Sequence, residues 1–228
     1  MKLSIVIPVY NEERTIKQII SAVKAALHSD SFSKEIIVVD DGSTDGTRQL
    51  LAEYDGDSEI YILYNEKNSG KSATVSRGLS HSTGDIVLIQ DADLEYDPTD
   101  FPKLIEPILA GRSDVVYGTR FNKNVQTMKF INKIANKLST FTVNFLFSTR
   151  LSDVNTCYKA FRRDTLDEIQ ITSSGFTFEM EITAKLLKRG FTICEVPIKY
   201  SPRSKREGRK MNWAKAIYLY FSFFKYAF

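Results

Sequence analysis

Two aspartates separated by a single residue, Asp91-Ala92-Asp93, with Glu95 two positions on, stand at the end of the apolar run IVLIQ. Carboxylates spaced this way at a strand end can converge on a hard divalent cation and leave its other positions to water and substrate phosphates. Acidic residues also cap helices, and a helix is entered here through Asp97 and Pro98, so the spacing alone leaves both readings open. A second cluster, Asp40-Asp41-Gly42-Ser43-Thr44-Asp45-Gly46-Thr47, has the composition of a tight turn and a helix N-cap. A capped turn does not need two further carboxylates on its strand side. An Asp there can accept from a uracil or guanine ring N–H or from a ribose hydroxyl. The third cluster, Asn68-Ser69-Gly70-Lys71 with Arg77 farther along, has the chemistry of a phosphate-binding turn without the spacing of a P-loop. Together the three suit a nucleoside diphosphate.

Such groups act only if the fold brings them to one edge. LSIVIPVY, EIIVVDD, EIYILYN and DIVLIQDAD read as near-continuous apolar strands, each followed by a polar turn and a segment of helical spacing. Strands apolar on both faces belong to a parallel sheet covered by helices on both sides. The predicted fold class is therefore α/β, a three-layer arrangement with a mostly parallel sheet. Ligands of such sheets sit at the carboxyl ends of the strands, where Tyr10-Asn11-Glu12, Asp40-Asp41-Gly42 and Asp91-Ala92-Asp93 all fall.

Beyond Pro98 the pattern predicts a helix over 101–109, a strand over 115–121 and a long amphipathic stretch over 125–147. In that stretch Ile131, Ile134, Leu138, Phe141 and Phe145 form an apolar stripe, with Lys133, Lys137, Thr140 and Asn144 off it. A strand over 157–161, a helix over 178–188 and a strand over 192–200 follow. No linker or internal repeat interrupts the chain. One domain over 1–211 is expected, with 212–228 as a C-terminal amphipathic helix attached to it.

Composition bounds the class. With 228 residues, 43% hydrophobic and 26% charged, the chain is neither disordered, collagenous nor a disulfide scaffold. Its two cysteines, Cys157 and Cys194, lie far apart in apolar segments, which argues against a disulfide or thiolate metal site and for a reducing, cytoplasmic setting. The opening MKLSIVIPVY is broken by Pro8 and reads as a strand rather than a signal peptide. The longest apolar candidate, Ile217 to Phe228, contains Ser222 and Lys225 and falls short of the ~20 residues a bilayer requires. A net charge of +3 gives no argument for nucleic acid as a partner.

The motifs PVYNEE (Pro8 to Glu13), DDGSTDGT (Asp40 to Thr47), NSGK (Asn68 to Lys71) and QDADLEYDP (Gln90 to Pro98), in this order, resemble the family 2 glycosyltransferases, which have the GT-A fold. In the second half YGTRF, DVNTCYKAFRRD, FEMEITAKLLKRGFTICEVPIKY and PRSKREGRK are similar to the dolichyl- and polyprenyl-phosphate sugar synthases, the dolichol-phosphate mannose synthase group. The resemblance implies that Pro8, Tyr10, Glu12, Asp40 and Asp41 hold the nucleoside. It puts Lys71 near the nucleotide, Asp91 on the ribose or the metal, Asp93 as principal ligand of Mg²⁺ or Mn²⁺, and Glu95 as a further polar ligand. Arg120 and Arg203, with the basic loop after it, match positions that bind acceptor phosphate or donor diphosphate. Lys129, with Asn132 or Lys133, stands where relatives carry an Arg and a Ser for the same phosphate. The implied catalytic group is Asp93, Arg120 and Arg203, and the implied donor is GDP-mannose or UDP-glucose, with a UDP-N-acetylhexosamine also open.

Charge distribution bears separately on the acceptor. From Val115 to Ser152 the basic residues are Arg120, Lys123, Lys129, Lys133, Lys137 and Arg150, with no acidic residue among them; Tyr200 to Phe228 holds seven basic residues and one acid, Glu207. Basic residues beside apolar aromatic stripes, the second made of Trp213, Ile217, Tyr220, Phe224 and Phe228, suit an interfacial helix on an anionic leaflet, each charge contributing roughly 1 kcal/mol. Packing on the domain or on a second subunit is the other reading. A phosphomonoester, with a second pKa of about 6, is already largely dianionic and attacks without a strong base. For the expected inverting transfer of a hexose to dolichyl or polyprenyl phosphate at the cytosolic face of a membrane, Glu179 and Glu181 would then orient the basic loop through ion pairs. For a saccharide hydroxyl acceptor, one of them would be the base; a solvated helix residue is the equally plain reading of either.

Overall fold

A computed structural model describes residues 1–27, 32–121, 130–173, 175, 177–203, 220 and 223–226, with residues 130–132 described by their backbone. Seven strands form one sheet: β1 (Lys2–Val9), β2 (Ser33–Asp40), β3 (Ile60–Tyr64), β4 (Ile86–Ile89), β5 (Val115–Thr119), β6 (Lys159–Arg162) and β7 (Ile193–Pro197). The helices are α1 (Ile16–Ala25), α2 (Thr47–Ala52), α3 (Lys71–His81), α4 (Phe101–Leu109), α5 (Phe130–Phe147), α6 (Arg163–Asp167) and α7 (Phe178–Lys188).

The sheet order is β3-β2-β1-β4-β6-β5-β7. Only β6 runs antiparallel to its neighbours β4 and β5; the other pairs are parallel. The chain leaves β1 toward β2 on one side and returns to β4 on the other. That reversal of direction is the switch point at which open α/β sheets bind ligands.

Both faces of the central strands are covered, as their unbroken apolar runs require. Leu3, Ile5, Ile7 and Val9 of β1 pack with Ile16, Ile19, Ile20 and Val23 of α1 and with Phe101, Leu104, Ile105 and Ile108 of α4. On the opposite face Val6, Val87 and Ile89 meet Val75 and Leu79 of α3 and Phe178, Ile182 and Leu186 of α7. Helix α3 lies so close to the sheet that a Cβ on Gly78 would stand 2.3 Å from Val6 Cγ1. The amino end of α3 thereby meets the carboxyl ends of its strands, Gly70 at Asp41 after β2 and Lys71 at Asp91 after β4.

The long amphipathic stretch forms α5, but its orientation reverses the usual one. Asn136, Ser139, Thr140 and Val143 are buried, while Ile134, Leu138, Phe141 and Phe145 are 50%, 49%, 68% and 75% exposed. Polar bonds dictate this orientation. The Asn136 amide donates to Asp153 Oδ1 at 3.0 Å, and Asn144 exchanges hydrogen bonds with the Leu151 backbone at 2.8 and 2.9 Å. Of the C-terminal segment, residues 220 and 223–226 are described. There Phe223, off the stripe expected to lie on a membrane, is buried with Val143, Leu151, Val154 and Met180, and Tyr220 Oη meets Thr142 Oγ1 at 3.1 Å. No helix among the described residues is long and apolar enough to cross a membrane. Both cysteines are free thiols.

Candidate active site

The loops after β1 and β2 are laced together. The Thr44 N–H donates to Asn11 Oδ1 at 2.8 Å, Asn11 N–H to Ser43 Oγ at 2.9 Å and Glu12 N–H to Thr47 Oγ1 at 2.9 Å. Asn11 adopts φ 51°, a left-handed conformation that Asn tolerates. Pro8 and Tyr10 are half-buried at this end of β1. The two expected base-reading carboxylates are fully engaged with the protein. Asp40, at 0% exposure, takes Arg48 Nε–H at 2.7 Å and the Ser43 N–H. Asp41 accepts from the amides of Ser69 and Gly70 at 2.9 and 2.8 Å and from the Asn65 side chain at 2.8 Å. Asp41 thus ties the glycine turn to the end of β2.

Lys71 follows that turn and joins two elements distant in sequence. Its ammonium lies 2.8 Å from Asp91 Oδ1, 2.9 Å from Glu179 Oε1 and 3.0 Å from Cys157 Sγ. Burial opposes the Asp91 charge, but Lys71 overrides it and holds the Asp91 carboxyl below its ordinary range. Burial also opposes the ammonium, and the surrounding carboxylates of Asp91 and Glu179 hold the Lys71 pKa well above its usual value. The Cys157 thiol is pushed up, first by burial and then by Asp91, which keeps it protonated.

Two residues on, Asp93 faces a different cation. Arg203 Nη2 meets Asp93 Oδ2 at 2.8 Å, and Nη1 meets Glu12 Oε2 at 2.9 Å, clamping the ends of β1 and β4. Glu95 accepts from the Arg203 backbone N–H at 3.0 Å and from Tyr200 Oη–H at 2.7 Å. Burial, and then the charges of Asp91 and Glu95, raise the Asp93 carboxyl to about 7 despite Arg203. The expected metal set of Asp91, Asp93 and Glu95 is therefore not gathered as a triad. No three His, Cys, Asp or Glu side chains among the described residues could hold an ion together, and Glu95 turns toward Tyr200 and Arg203. Asp91 and Asp93 keep the donor chemistry that fits a hard cation. Both are carboxylates at one strand end, in an anionic crowd whose repulsion a cation would relieve.

Arg120, at the end of β5, is the third cation. Its Nε and Nη2 make a two-pronged pair with Asp153 at 2.7 and 2.8 Å, its backbone N–H donates to the same carboxylate at 3.0 Å, and the guanidinium lies 5.2 Å from the Tyr200 ring centre. Asp153 is fully buried, and its own backbone N–H is taken by Glu195 at 2.9 Å. Beneath them Lys159, also fully buried, sits 3.3 Å from the Tyr117 ring centre and donates to Val154 O at 3.2 Å. Desolvation lowers its pKa to about 7, although Glu179, Cys157 and Asp153 pull the other way. Lys129 and the basic loop at 204–210 lie outside the described residues.

The structure also separates Glu179 from Glu181. Residues two apart on a helix point about 200° away from each other, so the two could not share one task. Glu179 enters the site beside Lys71, whereas Glu181 is buried behind it and accepts from the backbone N–H groups of Thr172 and Ser173, each at 2.8 Å. The described ion-pair partners are Lys71 for Glu179 and Lys185 for Glu181. The expectation that either orients the basic loop falls on residues 204–210, outside the described ones, whereas Glu181, bonded to Thr172 and Ser173, is turned away from the place a base would take. Sequence reasoning assigned no role to Asp153, Cys157 or Lys159. The available signal was a charged or thiol group interleaved with Val154, Tyr158, Ala160 and Phe161, because burying such groups requires partners.

A sequence profile described as Glycosyl transferase family 2 matches residues 4–170. The chain is 31% identical over 215 residues to a dolichol-phosphate mannosyltransferase of Pyrococcus furiosus, covering 92% of this chain and 59% of the relative. It is 32% identical over 201 residues to glycosyltransferase AglJ of Haloferax volcanii, covering 87% and 63%. An undecaprenyl-phosphate 4-deoxy-4-formamido-L-arabinose transferase of Salmonella paratyphi A is 31% identical over 204 residues, with 89% and 60% covered. The chain thus spans about six-tenths of the length of these curated relatives. Among solved structures, glucosyl-3-phosphoglycerate synthase from Mycobacterium tuberculosis, in complex with Mn²⁺, uridine diphosphate and phosphoglyceric acid, superposes with a TM-score of 0.75. That match has 20% identity and covers 98% of this chain and 76% of that one. The synthase bound to uridine diphosphate gives 0.76 at 19% identity, covering 99% and 78%. The architecture is the GT-A fold, and the chain belongs to glycosyl transferase family 2.

Proposed function

We propose that the protein transfers a hexose, mannose or glucose, from a nucleotide sugar to a dolichyl or polyprenyl phosphate, with inversion, at the cytosolic face of a membrane. The observation that carries this reading is the meeting of Lys71 and Arg203 with the carboxylate edge at the switch point, with Arg120 held by buried Asp153 and packed on Tyr200, whose hydroxyl bonds Glu95 of that edge. A nucleoside diphosphate placed there would meet Pro8, Tyr10 and Glu12 on its nucleoside side, with Asp40 and Asp41 bracing the loops around it, and Lys71 and Arg203 on its phosphates. Mg²⁺ or Mn²⁺, held by Asp91 and Asp93, would offset the charge developing on the leaving diphosphate.

Arg120 is fixed by Asp153 and Tyr200, and a guanidinium so oriented can meet an acceptor phosphate without reorganisation. Because that phosphate is already anionic, no side chain need act as a strong base. Glu179, neutralised by Lys71 at 2.9 Å, is poorly prepared for that task. The outward stripe of α5 supports a lipid acceptor. Ile134, Leu138, Phe141 and Phe145 fall within an arc of roughly 60° on the helix, with exposed Lys133 and Lys137 flanking them, as an interfacial helix on an anionic leaflet requires.

Incubation with labelled GDP-mannose or UDP-glucose, Mn²⁺ and a prenyl phosphate tests the reading. Label in the organic extract is expected. Label found only on an added free glycan rejects the lipid acceptor and returns Glu179 to consideration as a base.

A further inference from the structure

We infer that Glu181, buried behind the site, is a positioning residue that sets nucleotide affinity by fixing Thr172 and Ser173, and through them Gly175 against the glycine turn. The inference rests on the nucleotide reading above. Its first link is the Glu181 carboxylate. One oxygen takes the Thr172 N–H and Oγ1–H, both at 2.8 Å, and the other takes the Ser173 N–H at 2.8 Å, with Lys185 beside the pair. The side chain is at 0% exposure, and Lys185 and the loop donors outweigh burial to hold its carboxyl at about 2. It is therefore a charged acceptor throughout the physiological range.

The second link is Gly175, whose carbonyl accepts from the Ser72 N–H at 2.8 Å and the Ser72 Oγ–H at 3.2 Å in the first turn of α3. Gly70 adopts φ 87°, and a Cβ there would stand 2.5 Å from Gly175 Cα, so the two glycines touch backbone to backbone. The turn is thus held from two sides, by Asp41 on its Ser69 and Gly70 amides and by Gly175 on Ser72. Lys71, between these supports, is the residue that reaches Asp91. Glu181 touches neither Lys71 nor the carboxylate edge. Releasing the loop would leave Lys71 on a turn supported from one side.

The test measures binding of UDP and GDP with Mg²⁺ by calorimetry, and amide hydrogen exchange across residues 69–73, in wild type, Glu181→Gln, Ser72→Ala and Lys185→Met. Glu181→Gln cuts the relay at one end and Ser72→Ala weakens it at the other. Lys185→Met removes the bonds from Lys185 to Gln170 O and Thr172 Oγ1 but leaves the Thr172 and Ser173 N–H groups on Glu181. Expected are a dissociation constant raised at least about fivefold in Glu181→Gln, on the scale of a lost charged hydrogen bond, and a smaller rise in Ser72→Ala. Both should show faster exchange at 69–73 and unchanged exchange in β1, with a smaller change in Lys185→Met than in Glu181→Gln. Unchanged affinity in folded Glu181→Gln overturns the inference, as does a Lys185→Met effect equal to it. If Glu181→Gln does not fold, unchanged affinity and exchange in Ser72→Ala overturns it. Failure of wild type to bind either nucleotide overturns the nucleotide reading and this inference with it.

Discussion

Helices α1 and α5 carry the same kind of sequence pattern and use it in opposite ways. On α1 the apolar stripe Ile16, Ile19, Ile20 and Val23 is fully buried against β1. On α5 the stripe of Ile134, Leu138, Phe141 and Phe145 points outward, and the helix is held by Asn136, Thr140 and Asn144. Around each helix the surrounding half of the sheet follows suit. In the first half fixed carboxylates are held by backbone N–H groups and cations, as at Asp40 and Asp41. In the second half fixed cations are held by carboxylates, as at Arg120 on Asp153. The difference shows that periodicity identifies a helix and its apolar face, whereas the partners of its polar residues decide where that face goes. On the proposed function it also sorts the molecule into a nucleotide half and an acceptor half.

Breaking the nucleotide half should have the largest effect. Asp93→Ala is expected to lower turnover about 10³-fold, the scale of a lost electrostatic stabiliser, with its circular dichroism intact. Unchanged turnover would remove the metal assignment. In the acceptor half the corresponding break is Asp153→Ala, which strands Arg120 as a buried charge and should cost about 3–5 kcal/mol in a urea titration. A loss below about 1 kcal/mol, on the scale of an exposed pair, would show that Arg120 does not depend on Asp153.

A smaller effect sharpens the contrast in buried charge. The Lys159 pKa is lowered from 10.5 to about 7, so between those pH values the unfolded chain binds the extra proton and stability rises with pH. Below about pH 7 both states are protonated and the burial penalty is fully present. Lys159→Met should flatten that rise between pH 7 and 10.5, read as the difference in Tm between variant and wild type. An identical slope in both would show that Lys159 does not titrate in that window.

Much of this was legible in the sequence because the first half obeys local rules. The apolar strand runs, the helix at 101–109 and that at 178–188, and the placement of residues 12, 40, 41, 91 and 93 at strand ends all follow from alternation between apolar runs and polar turns. What escaped depends on contacts between distant residues. The pairing of Lys71 with Asp91 and Glu179, and of Arg203 with Glu12 and Asp93, spans up to 191 positions that no local pattern encodes. The resemblance implies Glu95 as a further polar ligand, but Tyr200 Oη–H and the Arg203 N–H, more than a hundred positions away, claim its side chain. The antiparallel insertion of β6 was equally hidden, since its four residues carry no strong alternation.

The central claim is that the outward face of α5 serves a lipid acceptor while the carboxylate edge serves the donor. It is tested most directly by the transfer rate of the double variant Phe141→Ser, Phe145→Ser to two acceptors: a long-chain prenyl phosphate in anionic vesicles and a short, water-soluble prenyl phosphate. Both phenylalanines are mostly exposed, so the fold should be retained. The account predicts a loss of about tenfold or more with the vesicles, since two exposed aromatic side chains forfeit a few kcal/mol of interfacial burial. With the soluble acceptor the rate should stay within about twofold, because α5's stripe does not touch the carboxylate edge. Equal losses with both acceptors, or none with either, would contradict it.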